Sequence, residues 1–81
     1  MATRDEIIAA VREVLAEETG LSEQEISLDS SFSDLDVDSL GLLTVASQLE
    51  ERFHVSLDDA AIPTLPTVEA LVSLVESSAA A

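Results

Sequence analysis

The chain has 81 residues, with 17 Asp plus Glu against three Arg, no Lys and one His, for a net charge of −14. That balance disfavours nucleic acid and anionic membrane surfaces, whose phosphates would repel it, and favours partners with basic patches. The length allows one small domain and no second core, the 47% hydrophobic content argues against disorder, and the absence of Cys excludes disulfides and thiolate metal sites.

The first helix is expected to start at Thr3, because Thr3-Arg4-Asp5-Glu6 fits the reciprocal capping pattern of a hydroxyl and a carboxylate on orphan backbone donors. Ile8, Val11 and Leu15 form its apolar stripe, with Ile7 and Val14 on the flank. It should stop near Thr19-Gly20, since Gly takes the left-handed conformation that ends helices. Ser22-Glu23-Gln24-Glu25 repeats the capping pattern before only a few residues, which predicts a single helical turn with Ile26 and Leu28 tucked inward. Residues 27–38 read as a loop in which Ser and Asp residues surround Leu28, Phe32, Leu35 and Val37. A polar loop of this length in a small domain is usually functional, and its apolar residues predict that it packs on the body.

The second helix is expected from about Ser39 to Phe53. At about 100° per residue, Leu42, Val45, Ala46, Leu49 and Phe53 share the core face. Thr44, Ser47, Gln48, Glu51 and Arg52 fall opposite, Leu40 lies among them and Leu43 sits at the boundary. Leu57 to Ile62 reads as a short third helix, capped by Asp and stopped by Pro63. Thr67 should cap the last helix, whose stripe is Val68, Leu71, Val72 and Val75. The expectation is an all-α single domain over residues 1–81, a small bundle of three longer helices and one short one, ordered over about 3–76 and frayed from Ser77 to Ala81. No apolar run approaches the roughly 20 residues of a membrane span. The opening residues lack the basic region and apolar stretch of a signal peptide, so the expected location is the cytoplasm. Phe32 and Phe53 are the only aromatic residues, too few for base stacking.

Ser39 draws the functional question. Ser is a favoured helix cap, and Asp38 before it would be stabilised by the helix dipole. A catalytic serine needs a nearby base, yet the only His, His54, lies at the far end of the same helix, about 22 Å away at the helical rise. Chemistry at Ser39 therefore needs activation by another protein. Leu40, an apolar knob ringed by acids, reads as a docking patch. Asp34, Asp36 and Asp38 alternate like the opening ligands of a calcium loop. That loop would need Gly and Glu where this chain has Ser39 and Val45, so no metal site is expected.

The ordered set Phe32, Asp34-Leu35 and Asp38-Ser39-Leu40, then a helix ending Leu49-Glu50-Glu51-Arg52-Phe53, then Leu57-Asp58-Asp59 and Thr64-Leu65-Pro66-Thr67-Val68, resembles an acyl carrier protein from about Ile7 to Val75. The resemblance implies a four-helix carrier fold that is not itself an enzyme. It implies that Ser39 accepts 4′-phosphopantetheine from coenzyme A through a holo-carrier synthase, with Asp38 as the motif neighbour. It further implies an arm whose thiol carries acyl groups as thioesters to a ketosynthase, an acyltransferase and tailoring enzymes with basic docking surfaces. The docking face would be Leu40, Leu43, Thr44, Ser47, Glu50 and Glu51, on a monomer. A core of Leu49, Phe53, Leu65, Val68 and Leu71 would open slightly to shelter the chain.

Three positions depart from the pattern. Asp36 stands where many carriers have Gly, and Gly41 and Thr44 stand where fatty-acid carriers have acids. Leu40-Gly41-Leu42-Leu43 looks closer to carriers of polyketide assembly lines, and the Gly-Gly pattern of peptidyl carriers is missing. A chain opening on Met and holding one domain resembles a discrete carrier. The competing expectation is a non-enzymatic acidic helical adaptor that binds a basic partner through the Leu40 patch.

Overall fold

A computed structural model describes residues 3–80. Helix α1 spans Arg4–Thr19, α2 Ser39–Phe53 and α3 Val68–Ala80, with short 3-10 turns at Glu23–Glu25 and Ile62–Thr64. No strand occurs among the described residues. α1 packs on both α2 and α3, and the second 3-10 turn packs on α2.

Capping chemistry sets the boundaries. The Thr3 hydroxyl accepts from Glu6 N at 3.2 Å, and Gly20 closes α1 in the left-handed conformation at φ 78°. In the turn after it, the Glu25 carboxylate accepts from Ser22 N at 2.8 Å. The Thr67 hydroxyl accepts from Ala70 N at 3.3 Å at the start of α3. Each of these bonds satisfies a backbone donor that has no partner inside its own helix.

The buried residues of α1 are Ile7, Ala10, Val11, Val14 and Leu15, so its core face is centred between Val11 and Val14, and Ile8 is only half-buried at its edge. On α2, Leu42, Val45, Ala46 and Leu49 are buried as the wheel requires. Phe53, assigned to the same face, is only half-buried, because the helix ends there and its ring lies at the rim of the bundle. Val68, Leu71, Val72 and Val75 are fully buried on α3. Ile26, Phe32, Leu35, Leu57 and Ile62 complete the core from outside the helices, and Leu28 and Val37 are half-buried against it.

The expected short helix over Leu57 to Ile62 does not form. Leu57 is held by its neighbours instead: its N–H donates to the Glu50 carboxylate at 2.9 Å, and Asp58 caps a turn by accepting from Ala60 N at 3.0 Å. The helical element there is a 3-10 turn at Ile62–Thr64 that contains Pro63 in its first positions. Proline suits a first turn, where a missing N–H costs nothing, so Pro63 starts this element and does not end one. Where fraying from Ser77 was expected, α3 continues to Ala80; Ala81 and the opening Met1 and Ala2 lie outside the described residues.

The ion pairs are few and at the surface. Arg4 meets Glu76 at 2.9 Å and Glu69 at 3.9 Å, and Arg52 meets Glu13 at 2.9 Å. The hydrogen bond and charge of Arg52 hold the Glu13 carboxyl below its ordinary range. Because that value is depressed on folding, the pair stabilises the protein above the ordinary carboxylate range and loses its effect as pH falls through the lowered value. Exposed pairs of this kind contribute little, so most of the net charge of −14 is left uncompensated. Self-repulsion then opposes folding. The melting temperature should rise with sodium chloride, as the screening length falls to about 8 Å at 0.15 M. A melt that is flat or falls with salt would show the charges to be already balanced.

Candidate functional site

The loop leading to α2 is a series of tight turns. Ser30 N donates to Ser27 O at 3.1 Å, Asp34 N to the Ser31 hydroxyl at 3.1 Å, Asp36 N to Ser33 O at 3.1 Å and Val37 N to Phe32 O at 2.9 Å. Phe32 and Leu35 anchor it in the core. Two backbone bonds, Val68 N to Ser30 O and Glu69 N to Leu28 O, both 3.0 Å, tie it to the start of α3. These carbonyls satisfy donors that a helix start otherwise leaves open.

Asp36 takes the left-handed conformation at φ 63°, which accounts for glycine being the residue at ease in this place. An L side chain is strained there, least so for Asp and Asn. Asp36→Gly and Asp36→Ala delete the same charge, so they isolate the backbone effect. The Gly variant should be the more stable by about 1 kcal/mol in denaturant unfolding; equal stabilities would show the turn relaxes without strain.

The cap of α2 is Asp38, not Ser39. Asp38 is extended at φ −86°, and its Oδ1 accepts from Gly41 N at 2.7 Å. Ser39 is therefore the first helical residue. It is exposed, and its hydroxyl enters no hydrogen bond among the described residues. Leu40 is 74% exposed, on the wet face as the wheel required. Leu43 is half-buried against the core, and Thr44, Ser47 and Glu51 are exposed along the same side. The Thr44 hydroxyl donates to Leu40 O at 3.1 Å. Glu50 is set apart from this group, since its carboxylate clamps Leu57 N. His54 sits exposed at the opposite end of α2 in a left-handed C-cap at φ 55°.

A cleft of about 430 Å³ opens beside Ser39, lined by Phe32, Val37, Leu42, Leu65 and Pro66 together with Ser31 and Ser33. Of the residues expected to shelter a chain, only Leu65 lines it. Leu49, Val68 and Leu71 are fully packed, and Phe53 borders a separate groove near His54. Among the described residues no group of three His, Asp or Glu is placed to hold a metal ion.

The sequence alone marks Glu18 as an acid at the unfavourable end of its helix and gives it no function. A Cβ built on Gly41 would lie 3.3 Å from Glu18 Oε1 and 3.2 Å from Asp38 Oδ1. The end of α1 thus reaches the first turn of α2.

A helical bundle with a free serine hydroxyl at the first position of a helix, beside an open cleft, has the form of a phosphopantetheine attachment domain, and the phosphopantetheine attachment site family matches residues 9–75. Acyl carrier proteins of Kocuria rhizophila and Renibacterium salmoninarum are 40% and 41% identical over 81 residues, 99% of this chain and 100% of theirs. The solved 3,7-dioxo-octyl actinorhodin acyl carrier protein from Streptomyces coelicolor superposes with a TM-score of 0.75 at 32% identity, covering 96% of this chain and 91% of that one. The 3,5-dioxohexyl form, a triketide mimic, gives 0.76 at 31%, covering 99% and 93%. The chain belongs to the acyl carrier proteins. It carries acyl groups on phosphopantetheine and is not an enzyme, and it is not the helical adaptor of the competing expectation.

Proposed function

We propose that Ser39 is the residue that takes 4′-phosphopantetheine, with Asp38 as the neighbour that sets its position. The observation that carries this is the exposed, unbonded hydroxyl at the first position of α2, inside Asp38-Ser39-Leu40 and at the mouth of the cleft. The donors at the start of a helix favour a phosphodiester placed there. Asp38 caps through Gly41 N alone and leaves the Ser39 hydroxyl free. In the transfer, Ser39 Oγ forms a bond to the phosphorus that bears pantetheine. The diphosphate bond of coenzyme A breaks, the nucleoside bisphosphate leaves, and the serine proton passes to a base on the transferase. The bound arm supplies a thiol for thioester linkage, and Phe32, Leu42 and Leu65 supply an apolar wall along its path.

The chain is a single carrier domain that works as a monomer in the cytoplasm, loaded by a holo-carrier synthase and visited by a ketosynthase, an acyltransferase and tailoring enzymes. These meet it on Leu40, Leu43, Thr44, Ser47 and Glu51, with Glu50 serving the fold beneath. An exposed apolar residue among carboxylates supports fast, salt-sensitive docking on basic surfaces. Polyketide intermediates are the cargo. Two serines, Ser31 and Ser33, line the cleft, which suits an oxygenated chain, and the solved relatives named above carry dioxo chains. Incubation with coenzyme A and a promiscuous holo-synthase, followed by intact-mass measurement and peptide mapping, tests the assignment. One phosphopantetheine on the Ser39 peptide is expected, and a modification mapped to any other serine would refute it.

A further inference from the structure

Glu18 sits next to last in α1, in a final turn with no basic residue, where the carbonyl end of the helix disfavours a carboxylate. Its carboxylate faces the opposite pole of α2 instead. A Cβ at position 41 would lie 3.3 Å from Glu18 Oε1, 3.2 Å from Asp38 Oδ1 and 3.4 Å from Val37 Cγ1. The two acids differ in what they have left to offer. Asp38 Oδ1 is committed to Gly41 N at 2.7 Å. Glu18 is exposed and enters no hydrogen bond or ion pair among the described residues. It is an uncommitted carboxylate brought by a different helix to the turn that holds Ser39 and Leu40.

We infer that Glu18 is a specificity-determining residue for the loading of Ser39: it supplies from α1 a carboxylate that meets a basic group of the transferase, and the bare Cα of Gly41 makes room for it. The inference rests on the reading that Ser39 is loaded and that the Leu40 face meets the transferase. It extends that face across the junction of α1 and α2, so the partner recognises a corner made by two helices.

Loading kinetics with a holo-synthase and coenzyme A test it on the folded full chain. Glu18→Gln keeps the shape and should raise KM for the carrier about two- to fivefold, the worth of one exposed charge pair. Glu18→Lys should raise it further, to about tenfold, with kcat unchanged in both and the differences shrinking as salt is added. Glu6→Gln, at the other end of α1, removes the same charge and should leave KM within about twofold. Moving the carboxylate with Glu18→Ala plus Gly41→Glu should restore KM, which a purely structural role for Glu18 would not do. If Glu18→Gln and Glu18→Lys match the parent while Leu40→Ala raises KM, or if the relocated carboxylate fails to restore it, the inference is wrong and the Ser39 reading survives. If the parent takes no phosphopantetheine, both fall.

Discussion

Ser39→Ala should fold as the parent does and take no phosphopantetheine from coenzyme A. The loss should be total because, on the proposed assignment, the Ser39 hydroxyl is the group that forms the new bond, and no other side chain lies at the first position of α2. The stability is untouched because Ser39 is not the cap. Asp38 holds Gly41 N at 2.7 Å, and that bond survives when the Ser39 hydroxyl is removed. Alanine is also the best of helix formers, so its melting temperature should equal or slightly exceed that of the parent. Asp38→Ala is the informative contrast: it loses a true cap, at about 1 kcal/mol, while leaving the hydroxyl in place. Intact mass after incubation with transferase, read beside thermal melts of both variants, separates the roles. Residual loading of Ser39→Ala would mean that a different serine bears the arm.

Leu49→Ala should cost about 2–5 kcal/mol in denaturant unfolding, the range for emptying a packed leucine site. Leu49 is fully buried on the core face of α2. A domain of this size has only about 5–10 kcal/mol to lose, so the substitution takes a large share of it and should lower the unfolding midpoint clearly. Leu40→Ala, on the same helix but 74% exposed, should shift stability by less than about 1 kcal/mol while weakening loading of Ser39. The two leucines thus separate folding from docking within one element. Equal destabilisation by both would put Leu40 in the core and the docking face on the wrong side. Phe53 is a poorer probe, since its half-buried ring leaves no closed cavity when removed.

The features legible in the sequence are those decided by near neighbours. Thr3, Gly20 and Thr67 cap as their types demand, and the stripe of α3 follows from spacing alone. Adjacent Asp38 and Ser39 both have capping side chains, and composition cannot choose between them; the choice is made by the loop, which delivers Asp38 in extended backbone with its carboxylate under Gly41 N. Leu57 to Ile62 has the residues for a helix. It is too short to sustain one against the costly first turn, and Asp58 caps an isolated turn through Ala60 N instead. The Ser39 site was visible through the order of its motif residues. Glu18 was not, because its place beside Gly41 depends on how α1 packs on α2.

The bonds from Val68 N and Glu69 N to the carbonyls of Ser30 and Leu28 have a mechanical meaning. A loop fastened only by its side chains would behave as a flap, free to swing over the cleft. This one is riveted to α3 at its near end and locked into α2 by the Asp38 cap at its far end, with Phe32 and Leu35 sunk between. It behaves as a tie-rod between two struts: a load on Ser39 passes along it to the head of α3 and is not absorbed locally. The opposite rim, Pro63 to Pro66, is fastened differently: Thr64 N and Leu65 N bond to Ala61 O and Ile62 O close by in the chain, and the two prolines have no amide hydrogen for a longer tie. An arm seated at Ser39 therefore lies between one wall tied across the bundle to α3 and one held by bonds to its own near neighbours in the chain.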